Sequence, residues 1–535
     1  MGSLERAAAY ALAVTVTCGQ VLAQQPARMN WQTFAQDPAR VQSLRNAVAV
    51  MKSRDTADPT SALYRTSWQY WGAMHGYFGS TSVFGTIEKA IAKFKASGGD
   101  QSLLPYFSGI TNMTPPDAIA SQVWGHCQHR TNWFFAWHRL YLYYFEQVLQ
   151  SAANDPTLRL PYWDYTNTSN LAMPAAYTSP TYVNAKGETV PNPLYEERRY
   201  PGWNTPTSNS LDPADTDIDD PLKDKTFFDV SVAGDGFQGG IEFNVHANVH
   251  CSVMDCPVPD MGAVGYSSND PVFWAHHANI DRMWDCWNNL GNPNPTDSDY
   301  LQKKFSYIDP SGNLVTNAVA DLYNGTIKLG YVYQQTSDCG RGTTATLAAA
   351  PAPQAMSEET LKTARKTLAK PVILGNAKSL VIDAAVTRKR LPIAGGTALA
   401  TPRGLAFHAN DALPVRTDLV LRGIRFDAHP GTKFNVFLER RDDPSRRARV
   451  GTLSFFDSTG SGEGNEGHGG AASLDRSFDV TDELRQIAGT QAELKEVDVV
   501  FEAAAGRLGT TTKLKFSPKS KLTVGEIELR VSARP

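Results

Sequence analysis

Residues 133–149 read Trp-Phe-Phe-Ala-Trp-His-Arg-Leu-Tyr-Leu-Tyr-Tyr-Phe-Glu-Gln-Val-Leu, a run that is apolar or aromatic almost all round. A helix without a polar face packs on every side, so this run predicts a central buried helix. Residues 273–288 have the same character, and residues 61–77 carry apolar side chains at helical spacing. The intervening residues 166–235 are rich in Pro, Asn, Ser, Thr and Asp, which indicates irregular surface chain. We therefore expect a mainly α domain with long loops.

The composition changes after Tyr333. Residues 342–354 (Gly-Thr-Thr-Ala-Thr-Leu-Ala-Ala-Ala-Pro-Ala-Pro-Gln) are typical of a linker, and a short polar helix is expected at 357–370. From there on, turn residues separate strand-like runs and predict an all-β sandwich. These runs are 418–426, 433–439, 448–456, 498–502 and 522–531. We predict the helical domain at 24–336, a linker at 337–370 and the sandwich at 371–535.

The overall composition excludes several classes of protein. The chain has 535 residues, of which 41% are hydrophobic and 20% charged, as in ordinary globular proteins. A net charge of -3 gives no reason to expect nucleic acid as a partner. Arg6 precedes an apolar run from Ala7 to Ala23, which predicts a cleaved export signal at 1–23 and a secreted or periplasmic protein; a buried N-terminal helix is the alternative. No other stretch reaches the roughly 18 consecutive apolar residues of a membrane span.

Removal of the export signal would leave an odd number of cysteines, so at least one of them must lie outside any internal disulfide. Cys251 and Cys256 are close enough in sequence to form a bridge, although their spacing alone does not show that they do. The five cysteines are Cys127, Cys251, Cys256, Cys286 and Cys339.

Seven of the eleven histidines fall in three clusters before residue 280. His246 and His250 are four residues apart, which places both rings on one face of a helix. His129 and His138 are nine residues apart and half a turn out of phase. If both bind one metal, His129 must lie on the segment that enters the buried helix. The clustered residues are His126, His129, His138, His246, His250, His276 and His277.

These clusters indicate a metal site. An imidazole in an apolar helix is costly to bury without a partner, and a single such histidine is usually hydrogen-bonded within a core. Several in three clusters favour a metal, which would satisfy all the rings together. Imidazole suits zinc, copper, iron and nickel, and the zinc-hydrolase motif His-Glu-x-x-His does not occur in the sequence. The spacing therefore predicts a His-rich metal site but does not determine which metal it binds.

Residues 129–146 resemble the copper-A signature of tyrosinases and polyphenol oxidases: His-Arg-Thr-Asn-Trp-Phe-Phe-Ala-Trp-His-Arg-Leu-Tyr-Leu-Tyr-Tyr-Phe-Glu. Residues 270–284, Asp-Pro-Val-Phe-Trp-Ala-His-His-Ala-Asn-Ile-Asp-Arg-Met-Trp, resemble the copper-B signature. Residues 160–165 and 331–333 match further markers of this type-3 copper family. The motifs occur in the family's order, and the resemblance covers about residues 30–335.

The resemblance implies two copper ions, each bound by three histidines. For copper A, the third ligand would come from an upstream helix, where His75 matches the family's position; His126 is the rival. In the pair His276-His277 the family's ligand is the second, so we expect His276 in packing or in a supporting contact. Asp281, one turn later, is also expected to make a supporting contact. The implied ligands are His75, His129 and His138 for copper A, and His246, His250 and His277 for copper B.

The implied activity is oxidation of phenols by dioxygen to o-quinones, the chemistry of melanin formation. Small phenols and O2 would be the partners, and both o-diphenols and monophenols would be substrates. Three alternatives stay open: a catechol oxidase limited to diphenols, an oxygen carrier like molluscan haemocyanin, and a His-ligated zinc hydrolase.

The family also implies roles for residues near the ligands. Glu242 matches a carboxylate that holds a water able to take the phenol's proton. Ala247 stands where strong monophenol hydroxylases often have Asn, which puts monophenol hydroxylation in doubt. Val264 matches the gate position, and its small side chain implies an accessible site. Cys127-Gln-His129 resembles the Cys-x-His form of a thioether link between the cysteine and a copper-A ligand.

The C-terminal part is similar to the tail domain of plant polyphenol oxidases, at residues 433–439, 451–456 and 523–530. The likeness implies a sandwich that covers the copper site until the chain is cleaved near the linker. Its three histidines, His408, His429 and His468, are not expected to bind metal.

Overall fold

The structure is a computed structural model of the chain. It describes residues 26–98, 100–200, 202–205, 210–228, 235–322, 325–334, 339, 370–393, 415–456, 458, 474–488, 494–504, 507–508 and 516–533. The predicted export signal at 1–23, nearly all of the predicted linker at 337–370, and His408 and His468 lie outside the described residues.

Five helices build the N-terminal part around the site. They are α1 (Pro38–Ser53), α2 (Trp68–His75), α3 (Phe134–Ala153), α4 (Ala247–Val253) and α5 (Val272–Asn289). The predicted buried helices at 133–149 and 273–288 correspond to α3 and α5 and are confirmed. The apolar stretch at 61–77 is instead two helices, Ala62–Arg65 and α2, because Ser67 has an extended backbone and its side chain caps α2 by accepting a hydrogen bond from the Tyr70 N–H.

Shorter elements fill the rest of this part. The short helices are Trp31–Phe34, Ile87–Ser97, Ala118–Val123, Asp219–Lys223, Gly236–Gly240, Ser298–Gln302 and Gly325–Lys328, with a π-helix at Ile241–His246 that runs directly into α4. Short 3-10 turns occur between them. Strands Ala27–Arg28 and Val332–Tyr333 pair in parallel; the hairpin pairs are Thr181–Val183 with Thr189–Pro191 and Lys304–Ile308 with Leu314–Ala318. None of the described helices combines the length and apolar character needed to cross a bilayer.

The C-terminal part contains two four-stranded antiparallel sheets. The strands are β1 (Val372–Ile382), β2 (Val386–Pro392), β3 (Val415–Arg422), β4 (Lys433–Arg440), β5 (Asp443–Leu453), β6 (Arg476–Asp479), β7 (Glu496–Ala504) and β8 (Leu522–Ala533). Their order is β6-β3-β8-β1 in one sheet and β5-β4-β7-β2 in the other. Inward-facing aliphatic residues of both sheets form one core. The predicted class, a mainly α region followed by a β-sandwich, is confirmed, although β1, β2, β6 and a helix at Thr481–Ala488 were not predicted.

The two parts are in contact through buried polar and apolar groups. Asp215 accepts hydrogen bonds from Lys433 and from Arg449 Nη2, the latter at 2.6 Å. Arg416 on β3 pairs with Asp224 and Asp235 of the helical part. The sandwich is thereby held against the chain segments that lead into α4.

Two disulfides cross-link the helical part. Cys251 bonds to Cys256, five residues on, and Cys286 of α5 bonds to Cys339. The remaining cysteine of the five, Cys127, is buried outside both bridges, which confirms the expectation from the odd count.

Candidate metal centre

The first group of histidines lies where α2 and α3 meet. His75 is the last residue of α2, His138 lies on the second turn of α3, and His129 lies on the segment that enters α3. Their ring centroids are 5.3 to 5.7 Å apart, and all three side chains are buried. His126 is exposed, with its Nε2 3.4 Å from the Ser121 carbonyl. The structure thus brings His75, rather than His126, to His129 and His138.

The second group lies where α4 and α5 meet. His246 ends the π-helix, His250 lies in α4, and His277 lies in α5. Their ring centroids are 4.7 to 5.6 Å apart, and all three rings are buried. The π-helix was not predicted from the sequence; such turns occur frequently at functional sites.

The two groups face each other across a short gap. The rings of His138 and His277 are stacked with centroids 4.6 Å apart and planes 16° apart. The His129 and His246 centroids are 5.5 Å apart, and those of His75 and His277 are 6.1 Å apart. Six rings from distant parts of the chain therefore converge on a single centre.

Backbone carbonyls fix the orientation of four of these rings. A carbonyl oxygen only accepts hydrogen bonds, so each Nδ1 must carry the proton, and Nε2 of the neutral ring then has a lone pair. The pairs are His75 Nδ1 with Val264 O at 3.1 Å, His138 Nδ1 with Phe134 O at 2.7 Å, His246 Nδ1 with Glu242 O at 3.1 Å and His250 Nδ1 with Met261 O at 2.8 Å.

The surroundings of three of the six imidazoles favour the uncharged form. Burial, reinforced by neighbouring imidazoles, lowers the pKa of His138, His250 and His277 well below the usual histidine value. A buried neutral imidazole is the form that ligates transition metals. Nε2 of His277 lies 3.4 Å from Nε2 of His250, so two buried ring nitrogens converge where one metal ion could bind both.

The donor atoms fit a metal in each group. In each, one ligand atom per residue lies within 4.8 Å of all the others; the groups are His75, Cys127, His129 and His138, and His246, His250, His276 and His277. Nitrogen donors of this kind suit copper, and no carboxylate belongs to either group.

Cys127 belongs to the first group by position. Its Sγ lies 3.6 Å from both ring nitrogens of His129 and 3.5 Å from Nε2 of His138. The thiol is thus beside the ring to which the predicted thioether would join it. The link itself stays a prediction.

Asp281 and His276, the two residues expected in supporting contacts, both lie near the centre. Asp281 accepts hydrogen bonds from Arg139 Nε at 2.5 Å, Tyr331 Oη at 2.8 Å and Tyr333 Oη at 2.7 Å, and these described bonds lead away from His277. Asp281 therefore links α5 to α3 through the buried Arg139, which is the residue after His138.

His276 lies among the donors of the second group, and its Nδ1 is 2.8 Å from Tyr165 Oη.

Glu242 links the two groups of histidines. Its carboxylate accepts a hydrogen bond from the backbone N–H of Arg130, the residue after His129, and its carbonyl accepts from His246. The side chain is 1% exposed. A carboxylate is therefore fixed between the segments that carry His129 and His246.

The aromatic ring of Phe456, beyond the end of β5, covers the centre. It stacks on His250 with centroids 3.8 Å apart and also lies 5.4 Å from His246. Phe456 packs in a small apolar cluster with Ala247, Cys251, Cys256 and Val264, so the predicted gate residue Val264 and the predicted substrate-site residue Ala247 both belong to this cluster. The sequence predicts that residue 456 ends a strand. No pattern in the sequence indicates that the Phe456 ring points away from the sandwich and toward the histidines.

Comparison with known proteins shows that the histidines of the centre lie in a region that matches a known protein family. Residues 65–290 match the family model described as the common central domain of tyrosinase. The chain is 31% identical over 350 residues to a chloroplastic polyphenol oxidase of Malus domestica, covering 59% of this chain and 55% of the relative. It is 30% identical over 313 residues to tyrosinase HcTyr1 of Hahella sp. (strain CCB-MM4), covering 54% of this chain and 59% of the relative. The chain thus spans less than two thirds of either relative.

Solved structures share the whole architecture. A recombinantly expressed latent aurone synthase (polyphenol oxidase) superposes with a TM-score of 0.56 at 20% identity, covering 96% of this chain and 91% of that one. Latent apple tyrosinase gives a TM-score of 0.54 at 20% identity, covering 96% and 98%. At this identity the likeness shows the fold, a helical part with a C-terminal β part.

Proposed function

We propose that this protein, whose residues 65–290 match the family model of the common central domain of tyrosinase, uses dioxygen to oxidise o-diphenols, and to ortho-hydroxylate monophenols, giving o-quinones. The observation that carries the proposal is the convergence of six buried imidazoles in two facing groups. His75, His129 and His138 would hold one copper ion, and His246, His250 and His277 the other. When bound, the copper pair supplies the redox chemistry that couples dioxygen to the phenol.

The protein's contribution is to hold the ligands and exclude water. Carbonyls of the 261–264 segment fix His250 and His75, one from each group, so a single loop orients both halves. Burial of all six rings keeps bulk water from the centre. Glu242 serves proton transfer in this proposal: its carboxylate would hold a water that takes the phenolic proton, and the Arg130 N–H holds the side chain in place.

The accessible substrates depend on the entrance. Ala247 and Val264 are both small and lie in the cluster around Phe456. With that ring displaced, their side chains leave room for an aromatic substrate to stack on His250, as Phe456 does now. This favours flat phenols, and the small gate residue supports access by monophenols as well as diphenols.

The full-length chain is proposed to be latent. Phe456 occupies the face of His250 that a phenol would use, and the sandwich is anchored by Lys433 and Arg449 on Asp215. Cleavage near the predicted linker, 337–370, would allow the sandwich to leave. Export of the protein is part of the same proposal, and the two disulfides agree with an oxidising compartment.

Oxygen consumption with tyrosine and with L-DOPA tests the proposal on copper-loaded protein, both full-length and cleaved at the linker. We expect the cleaved form to oxidise both compounds and the full-length form to be much slower. Reversible oxygen binding without turnover would point to a carrier, and zinc in place of copper would exclude the oxidase. Turnover of L-DOPA without turnover of tyrosine would reduce the proposal to a catechol oxidase.

A further inference from the structure

The second group of ligands contains four imidazoles. Besides His246, His250 and His277, it includes His276, and the four donor atoms all lie within 4.8 Å of one another. The His276 ring centroid is 4.8 Å from that of His250 and 5.5 Å from that of His246, on which it stacks with the ring planes 14° apart. Packing against a neighbouring α-helix does not require such proximity to both rings.

The two nitrogens of His276 have different surroundings. Nδ1 is 2.8 Å from the hydroxyl of Tyr165, itself a buried residue. Nε2 is buried and makes no hydrogen bond within the described part of the chain. When Nδ1 donates its proton to the Tyr165 oxygen, the lone pair of the neutral ring is on Nε2. Tyr165 thus holds the His276 ring through its Nδ1 nitrogen, and the tautomer with the proton on Nδ1 is the one in which Nε2 can bind a metal.

We propose that His276 is a fourth nitrogen donor of the copper-B half, able to replace any one of His246, His250 and His277. This inference rests on the proposed function, since it assigns a donor to the same copper pair. Two observations carry it: the donor atoms of all four histidines lie within 4.8 Å of one another, and Nε2 of His276 is buried. The copper-B half thus keeps three imidazoles when one of its ligands is lost or displaced, and the ion is retained.

Copper content of the folded full-length protein tests this without reference to activity. Wild-type protein is loaded with copper, dialysed against a weak chelator and analysed for metal per chain. We expect His277→Gln to retain both ions, as does His276→Gln, and the double variant to retain one. Retention of one ion by folded His277→Gln would overturn the inference.

Two further variants keep the test decisive. If His277→Gln does not fold, His246→Gln replaces it, with the same expectation and the same overturning result. Tyr165→Phe combined with His277→Gln removes the group that orients His276, and we expect it to bind the second ion at least tenfold more weakly in chelator competition than His277→Gln alone. Equal affinity would count against the inference. If the wild-type protein binds fewer than two copper ions per chain, the proposed function itself is overturned.

Discussion

The ring of Phe456 lies parallel to the ring of His250, with the planes 13° apart and the centroids 3.8 Å apart. One ring comes from the sandwich segment and the other from a helix of the metal centre. Phenylalanine at this position has the shape of a phenol without the hydroxyl, so it can fill the place of a substrate but cannot react.

Replacing Phe456 by Ala should activate the full-length protein. Burial of a Phe side chain contributes about 1.5–3 kcal/mol, so its loss should raise the fraction of open molecules by roughly 10- to 100-fold. The rate of L-DOPA oxidation by uncleaved protein measures this. Phe437→Ala, which removes a half-buried ring of β4 that packs against Arg447, is the matched control and should leave the rate unchanged. Equal rates for wild type and Phe456→Ala would contradict the role.

His75 and His126 provide a matched pair of substitutions. His75→Gln removes a buried ring 5.3 Å from His129 and should reduce bound copper to about half, with loss of phenol oxidation. His126→Gln changes an exposed ring and should retain both copper and activity. Metal analysis after gel filtration decides the outcome; copper loss in His126→Gln alone would reverse the assignment.

Mass spectrometry tests the predicted link between Cys127 and His129. A thioether removes two hydrogen atoms from the peptide that contains both residues and blocks alkylation of the cysteine. We expect this loss in copper-loaded protein exposed to oxygen, whereas protein prepared without copper should alkylate fully once unfolded. Full alkylation in both samples would show a thiol that only contacts the ring.

The two disulfides should contribute unequally to stability. The chain-entropy account gives about 2 kcal/mol for a bridge between residues five apart and about 4 kcal/mol for one between residues 53 apart. Replacing Cys286 and Cys339 by Ala should therefore lower the denaturation midpoint more than replacing Cys251 and Cys256. Urea denaturation of the two double variants measures the order. The opposite order would mean that the short bridge acts chiefly on the folded state, beside His250.

The pH dependence of stability should carry a contribution from Asp418. Burial, with help from the Asp235 and Asp479 carboxylates, raises the pKa of Asp418 to about 7 against the opposing effect of Arg416. An acid whose pKa is raised on folding binds more protons when folded, so its favourable contribution is lost as pH rises from about 4 to 7. We expect a lower unfolding temperature at pH 8 than at pH 5.

Asp418→Asn should flatten this change between pH 5 and 8, because the amide does not titrate. Asp498→Asn, on the opposite sheet, is the control and should keep the wild-type profile. A profile that is unchanged in Asp418→Asn would assign the pH dependence to other carboxylates of the cluster.

The sequence predicts the individual elements better than their assembly. Aromatic and aliphatic residues recur around α3 and α5, and that property identifies buried helices without any knowledge of their neighbours. Ser67, by contrast, breaks the predicted 61–77 helix through one hydrogen bond, which a periodicity of apolar residues does not reveal. The strand β1 was missed because its polar residues, among them Asn376 and Lys378, interrupt the apolar pattern.

The centre shows the same limit. The motifs identify His129, His138, His246, His250 and His277 as candidates, but proximity of the rings depends on how α2, α3, α4 and α5 pack. Asp281 has the correct spacing for a contact with His277, yet it pairs with Arg139 because that guanidinium is buried and needs a carboxylate. The position of Phe456 over His250 depends on how the two parts dock, which no local pattern encodes.

The segment that supplies the carbonyls of Met261 and Val264 has a geometrical consequence. It anchors one imidazole of each half at points three residues apart, so the backbone length between these carbonyls helps to set the distance between His75 and His250. Only main-chain oxygens make these two contacts, so the side chains of Met261 and Val264 do not enter them. A single inserted or deleted residue would shift one half against the other.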